Sequence, residues 1–342
     1  MEIPIGYLSD NTSRRKILIM SFLIFLFITV LWLFFKGYYV ILIGEILFAI
    51  SKVMTDNAYS GYLYDYLENK NMVKYWGYMN FYSSTATSLA ALIGTYLYQH
   101  YGSHFILVME TALISIGILF LIMLPDIKPL TLKNKSNPTL SNFKARFLEF
   151  RDSVKNIYSR EEMRHYILYS GLLVSCSILF SVSFQPLMQH AMFGIIAFIN
   201  HGVRSISGVM AGKFLRNFDI RKMIVPLYVL YLVAFICVFV IISGTGVKLT
   251  FALLFLICLI IGVQLAFSIL HISRLHKFVT IDYRGSLMSV NNFVSRAFSA
   301  IILLSSKAFI GVIGLKLFFI IALVGYVLFG TFAMINAYKV KE

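Results

Sequence analysis

The chain has 342 residues, 59% hydrophobic, 16% aromatic and only 13% charged, with a mean hydropathy of +0.81. Soluble globular proteins carry roughly 25% charged and 45–50% apolar residues. That contrast excludes a water-soluble enzyme, a coiled coil or a disordered tail, and leaves an all-α polytopic membrane protein. The net charge of +15 would suit a nucleic-acid partner unless topology accounts for it. Cys176, Cys237 and Cys258 lie in apolar stretches without metal-ligand spacing and read as small buried hydrophobes, so neither a metal nor a cofactor is expected.

About 20 apolar residues cross the hydrocarbon core. Runs without Asp, Glu, Lys or Arg cover 17–35, 223–247 and 317–338. Two longer runs, 75–109 and 166–203, exceed one helix and divide at polar hairpins around 99–103 and 189–190. With the segments that hold a few charges, the pattern predicts about ten helices. They run near 17–36, 38–63, 75–98, 104–124, 165–188, 192–213, 223–244, 249–271, 285–307 and 311–338.

The loops between these helices sort the 30 cations. One alternate set, which includes Arg14, Arg15, Lys213, Arg221, Lys339 and the connector 125–164, holds 23. The other holds four, Lys36, Lys248, Lys307 and Lys316, and the last three lie inside helices. This is the positive-inside pattern, so the first set and both chain ends are expected in the cytoplasm. The basic balance then reflects topology, and no nucleic-acid partner is expected. In the connector, Phe143, Phe147, Phe150, Val154 and Ile157 recur at helical spacing among charges. They read either as an amphipathic helix at the membrane surface or as part of a solvated tether.

An internal repeat divides the chain. Gly6 is followed nine and ten residues later by Arg15 and Lys16, and Gly212 likewise by Arg221 and Lys222, at an offset of 206. A weaker echo pairs Gly77 with Gly285 at an offset of 208. Repeated membrane halves are a mark of secondary transporters. The expected organisation is an N-terminal half at 1–124, the connector at 125–164 and a C-terminal half at 165–342. By the same offset the first half would begin about forty residues before Met1, so two helices are expected to be absent from the N-terminus.

Gly6, Asp10, Arg14, Arg15 and Lys16, followed at once by an apolar helix, resemble the signature loop between helices 2 and 3 of the major facilitator superfamily. The stretch from Ala58 to Asp65 is similar to the end of helix 4 in bacterial drug-efflux-like members. Asn11 and Ser13 depart from the usual basic residue and glycine, and the Gly- and Pro-rich helix-5 motif of many antiporters is not found in 83–94. The resemblance implies a two-half helical bundle in the plasma membrane. It implies secondary transport of a small, drug-like or amphiphilic molecule by alternating access, proton-coupled and outward. Its partners would be the substrate, protons and the lipid bilayer, with the chain acting as a monomer. Two other readings stand beside it. One is an inactive, N-terminally truncated remnant of such a transporter. The other is a membrane enzyme, for which no HExxH, GxSxG, P-loop or paired-carboxylate motif appears.

Several residues are candidates for the work. Gly6 permits a tight turn, and Asp10 offers a carboxylate to a helix N-terminus, by resemblance the one near Gly285. Arg14 can pair with Asp65, and together these would latch the cytoplasmic side; the alternative is a solvated basic loop. Glu45, Lys52 and Asp56 fall within about 60° of one another on one helix face. A charge at the bilayer centre costs roughly 2.5–3.5 kcal/mol on insertion scales, so such a stripe should face protein or water. Lys52 and Asp56, at i and i+4, can neutralise each other. The stripe is the best substrate or proton pathway, with a structural ion pair as its alternative. Arg204 and Arg296 lie near mid-helix, and each needs an acceptor, which Asp56, an anionic substrate or a fixed structural partner could supply.

Overall fold

The computed structural model describes residues 12–67, 72–126, 155, 159, 161–184, 190–214, 218–244, 247–275 and 284–339. Among them there is no strand. In chain order the helices are α1 (Arg14–Phe34), α2 (Tyr38–Leu67), α3 (Met72–Met123), α4 (Glu161–Phe184), α5 (His190–Lys213), α6 (Arg221–Ile242), α7 (Val247–Leu275), α8 (Arg284–Gly325) and α9 (Thr331–Lys339). A single π turn, Tyr326–Gly330, joins α8 to α9. The connector's apolar series, Phe143 to Ile157, lies outside the described residues.

Ser13 opens α1, its side chain accepting a hydrogen bond from the Lys16 N–H, so a hydroxyl satisfies one of the otherwise unpaired first-turn donors. The two longest elements are not straight. Gly102 and Gly314 have φ of +77° and +79° inside α3 and α8, a backbone that only glycine adopts at low cost. The first of these breaks falls within the polar hairpin at 99–103. A straight helix from 74 to 123 would be about 75 Å long, more than twice the roughly 30 Å hydrocarbon core.

Seven described segments are long and apolar enough to cross a membrane. α5 is not among them, and it carries Asn200, His201, Arg204, Ser205 and Ser207 in its middle.

The chain forms two compact units. The first comprises Met1–Met72, Tyr96–Val154 and Val279–Ser289; the second comprises Val73–Thr95, Lys155–Phe278 and Val290–Glu342. In the first, α1 packs on α2 around buried Ile17, Leu18, Val53, Met54 and Ala58. Hydroxyls tie the same pair: Ser51 Oγ donates to the Ser21 carbonyl at 2.6 Å, and Thr55 Oγ1 to Ser21 Oγ at 3.0 Å. Such interhelical bonds average only ~0.6 kcal/mol in membranes, so close packing contributes more than they do.

The second unit has an aromatic core. Tyr169 donates to the Ile224 carbonyl at 2.7 Å, and Tyr228 stacks on Tyr326 at 5.3 Å between ring centroids. Ser177 is hydrogen-bonded to Tyr231, which is wholly buried. Ser175, Ser295 and Ser299 link α4 to α8, with Ser175 Oγ and Ser299 Oγ 3.1 Å apart. Each of these buried phenols and hydroxyls thus meets a polar partner in a medium that supplies no water.

Candidate transport site and family membership

Position and local packing separate the predicted site residues into three groups. Gly6 and Asp10 lie outside the described residues, as does the side chain of Asp65 in α2. The C-terminal end of their loop is described. Arg14 is 7% exposed, and its guanidinium lies against Gly61, where an added Cβ would come within 2.7 Å of Arg14 Cζ. Arg15 Nη2 donates to the Ile122 carbonyl at 2.5 Å, Ser13 Oγ donates to Asp126, and Tyr62 OH donates to the Pro125 carbonyl at 3.0 Å. These contacts fasten the start of α1 and the end of α2 to the end of α3 within the first unit.

The second group is the stripe on α2. Lys52 Nζ lies 2.9 Å from Asp56 Oδ1, one turn apart as the spacing predicts, with side chains 51% and 32% exposed. Glu45 on the same stripe is exposed. Ser51, Met54 and Ala58, buried against α1, occupy the opposite side of the helix, so the charges point away from the first unit's own core.

The third group comprises the two helix-borne arginines. Arg296 on α8 is exposed. Arg204 on α5 is half-buried, and its Nε is shielded from solvent without a hydrogen-bond partner. Asn200, one turn earlier, has a buried Oδ1 in the same condition. Arg204 interacts electrostatically with His201 and with the Tyr231 phenol. Asn200 does not stand out in the sequence, although its i,i+4 spacing from Arg204 on the polar helix α5 is a signal that could find it. Among the described residues, no group of three or more His, Cys, Asp or Glu could hold a metal ion.

A matched pair of helices carries α5. Val73–Thr95, the first part of α3, runs along it in the second unit. A Cβ on Gly77 would meet the Gly208 carbonyl oxygen at 2.6 Å and Gly212 Cα at 3.0 Å. Farther along, Thr85 Oγ1 and Ser205 Oγ are 2.7 Å apart, and Ser88 Oγ donates to the Phe198 carbonyl at 2.6 Å. On its other side, α5 meets α7 where a Cβ on Gly262 would touch Val203 at 2.5 Å. Small residues let these backbones approach closely, as membrane helix packing requires.

The profile of the Major Facilitator Superfamily matches residues 1–304. The chain belongs to the Major Facilitator Superfamily. No curated protein matches it. Solved structures of the same fold include a bacterial homologue of the iron transporter ferroportin in an outward-facing state, at 13% identity and a TM-score of 0.64, covering 98% of this chain and 86% of that one. The nucleoside transporter NupG matches at 18% identity and 0.69, over 98% and 87%. The human organic anion transporter MFSD10 (TETRAN) matches at 14% and 0.68, over 96% and 79%. At these identities the likeness shows the fold alone, and the three named cargoes differ from one another. Membership makes the chain a multi-pass membrane transporter of small molecules by secondary transport, and not an enzyme.

Proposed function

We propose that this chain exports a small amphiphilic or drug-like molecule across the plasma membrane by alternating access, coupled to proton entry. Both chain ends are cytoplasmic in this reading, no nucleic acid takes part, and the monomer is the working unit. The observation that carries it is the Lys52–Asp56 pair at 2.9 Å, exposed and turned from the core of its own unit. A carboxylate paired with a lysine can take up a proton when that lysine moves or is outcompeted by substrate, which links protonation to cargo. The likeness of 58–65 to drug-efflux-like members supports the outward direction.

Contacts made by Ser13, Arg14 and Arg15 support the signature loop as a cytoplasmic fastening. Asp10 and Asp65 complete it in this reading, with Gly6 forming the turn. Glu45 and Arg296 are assigned to the substrate or proton pathway as further candidate charges.

The test is accumulation of ethidium, Nile red and fluorescein in cells expressing the wild type or Asp56→Asn. The wild type should lower accumulation of at least one dye in a manner that collapses with the pH gradient, and Asp56→Asn should lose that dependence. Dye levels unchanged by the wild type contradict export. Full pH-dependent activity in Asp56→Asn removes the proton assignment.

A further inference from the structure

We propose that Arg204 is an anion-binding residue, so that the transported molecule carries an oxyanion, a carboxylate or a phosphate, held on the α5 face that bears Asn200 and Arg204. This deepens the transport reading above and rests on it. The starting point is an uncompensated charge. Arg204 sits in the middle of α5, its Nε shielded and without a hydrogen bond. A guanidinium N–H shielded from solvent without an acceptor is costly in a protein interior, and more so within a bilayer.

Among the described side chains of the second unit, the carboxylates are Glu161, at the start of α4 beside Arg164 and His165, and Asp219, just before α6. Asp219 is occupied there by Arg221, at 3.4 Å from its Nε. The Tyr231 phenol, which interacts with it electrostatically, is already hydrogen-bonded to Ser177. His201 cannot neutralise a cation.

Asn200 supplies an independent observation. Its Oδ1 is buried and unpartnered one helical turn from Arg204, and a half-turn of the amide presents N–H in its place. Two adjacent polar groups left open on one face describe a site awaiting a ligand rather than a finished structural network. The planar guanidinium matches carboxylate and phosphate oxygens bidentately. A cationic solute would meet a like charge there.

The full chain in detergent micelles, at fixed ionic strength, gives the test. Its thermal unfolding midpoint is measured with benzoate, phenyl phosphate, benzamide and benzylammonium, which share one ring and differ in charge. At least one anion should raise the midpoint while the neutral and cationic probes leave it unchanged; which anion acts separates carboxylate from phosphate. Without ligand, Arg204→Gln should unfold about 2–4 °C higher, because an uncompensated charge has gone. It should also need at least tenfold more anion for the same shift. Arg204→Lys keeps the charge but loses the fork, and should fold like the wild type with weakened protection.

Protection by benzamide or benzylammonium equal to that by the anions overturns the proposal. So does the absence of protection by either anion, or undiminished anion protection of a folded Arg204→Gln. Should Arg204→Gln not fold, Arg204→Lys decides: weakened anion protection supports the site, and undiminished protection overturns it. An anion that protects but does not cross proteoliposome membranes sinks the transport reading and spares the site. A neutral solute moved equally by wild type and Arg204→Gln does the reverse.

Discussion

Gly77 and Gly94 stand on the same helix, and only one of them should tolerate alanine. At Gly77 a Cβ would run into the Gly208 carbonyl oxygen at 2.6 Å, a backbone atom that cannot swing aside. At Gly94 there is nothing within 4 Å. Gly77→Ala is therefore expected to destabilise by about 1–3 kcal/mol through overpacking. Gly94→Ala should be neutral, or stabilising by up to ~1 kcal/mol through helix propensity. Thermal unfolding in detergent checks both, and equal midpoints would contradict the close approach. Lys52 invites a different separation, between stability and function. Exposed i,i+4 pairs contribute about 0.3–0.5 kcal/mol, so Lys52→Gln should move the unfolding midpoint by no more than a few degrees while abolishing dye export. A large loss of stability with transport intact would make the pair structural.

Residue spacing alone makes the Lys52–Asp56 contact legible, because four residues along a helix is a fixed geometry. Arg14 shows the limit of that reasoning. Its guanidinium lies against Gly61, a three-dimensional fact that no spacing along the chain encodes, while the Asp65 side chain expected to pair with it lies outside the described residues. Arg204 is legible as a charge needing an acceptor. That its Nε lies shielded and unpaired depends on the packing around α5 and becomes visible only with the fold.

At the scale of elements, the pairing of Val73–Thr95 with α5 decides what holds the polar helix in place. Apolar periodicity fixes where spans begin and end, but lipid and protein interior are equally apolar, so hydropathy does not say which helices touch. In the sequence Gly77 is only a repeat echo of Gly285; its packing against Gly208 and Gly212 explains why a glycine stands there. The Thr85–Ser205 hydrogen bond at 2.7 Å gives a direct check of this pairing. Cysteines at both positions, with a protease site placed in the connector 125–164, should cross-link on mild oxidation. The cleaved halves would then migrate together until reduced. Free halves after oxidation would contradict the pairing. The breaks at Gly102 and Gly314 are partly legible: the first lies in a polar hairpin, and the second lies between Lys307 and Lys316, a few residues past the boundary expected between 285–307 and 311–338.

At the scale of the whole molecule, the uneven division of cations between alternate loops is the most economical account of a charge of +15. It predicts that cysteines introduced at Lys213 and at Lys248 are labelled from opposite sides of the membrane. Labelling from one side would undo the topology and with it the cytoplasmic placement of the signature loop. In the proposed mechanism the charged stripe on α2 faces a passage opened to each side in turn. Lys52→Cys, tested with a membrane-impermeant thiol reagent in intact cells and in inverted vesicles, measures this without knowledge of the substrate. The three native cysteines are buried and give a low background. The account predicts reaction from both sides, slowed on each by conditions that trap the opposite-facing state; reaction from one side only, or from neither, would contradict it.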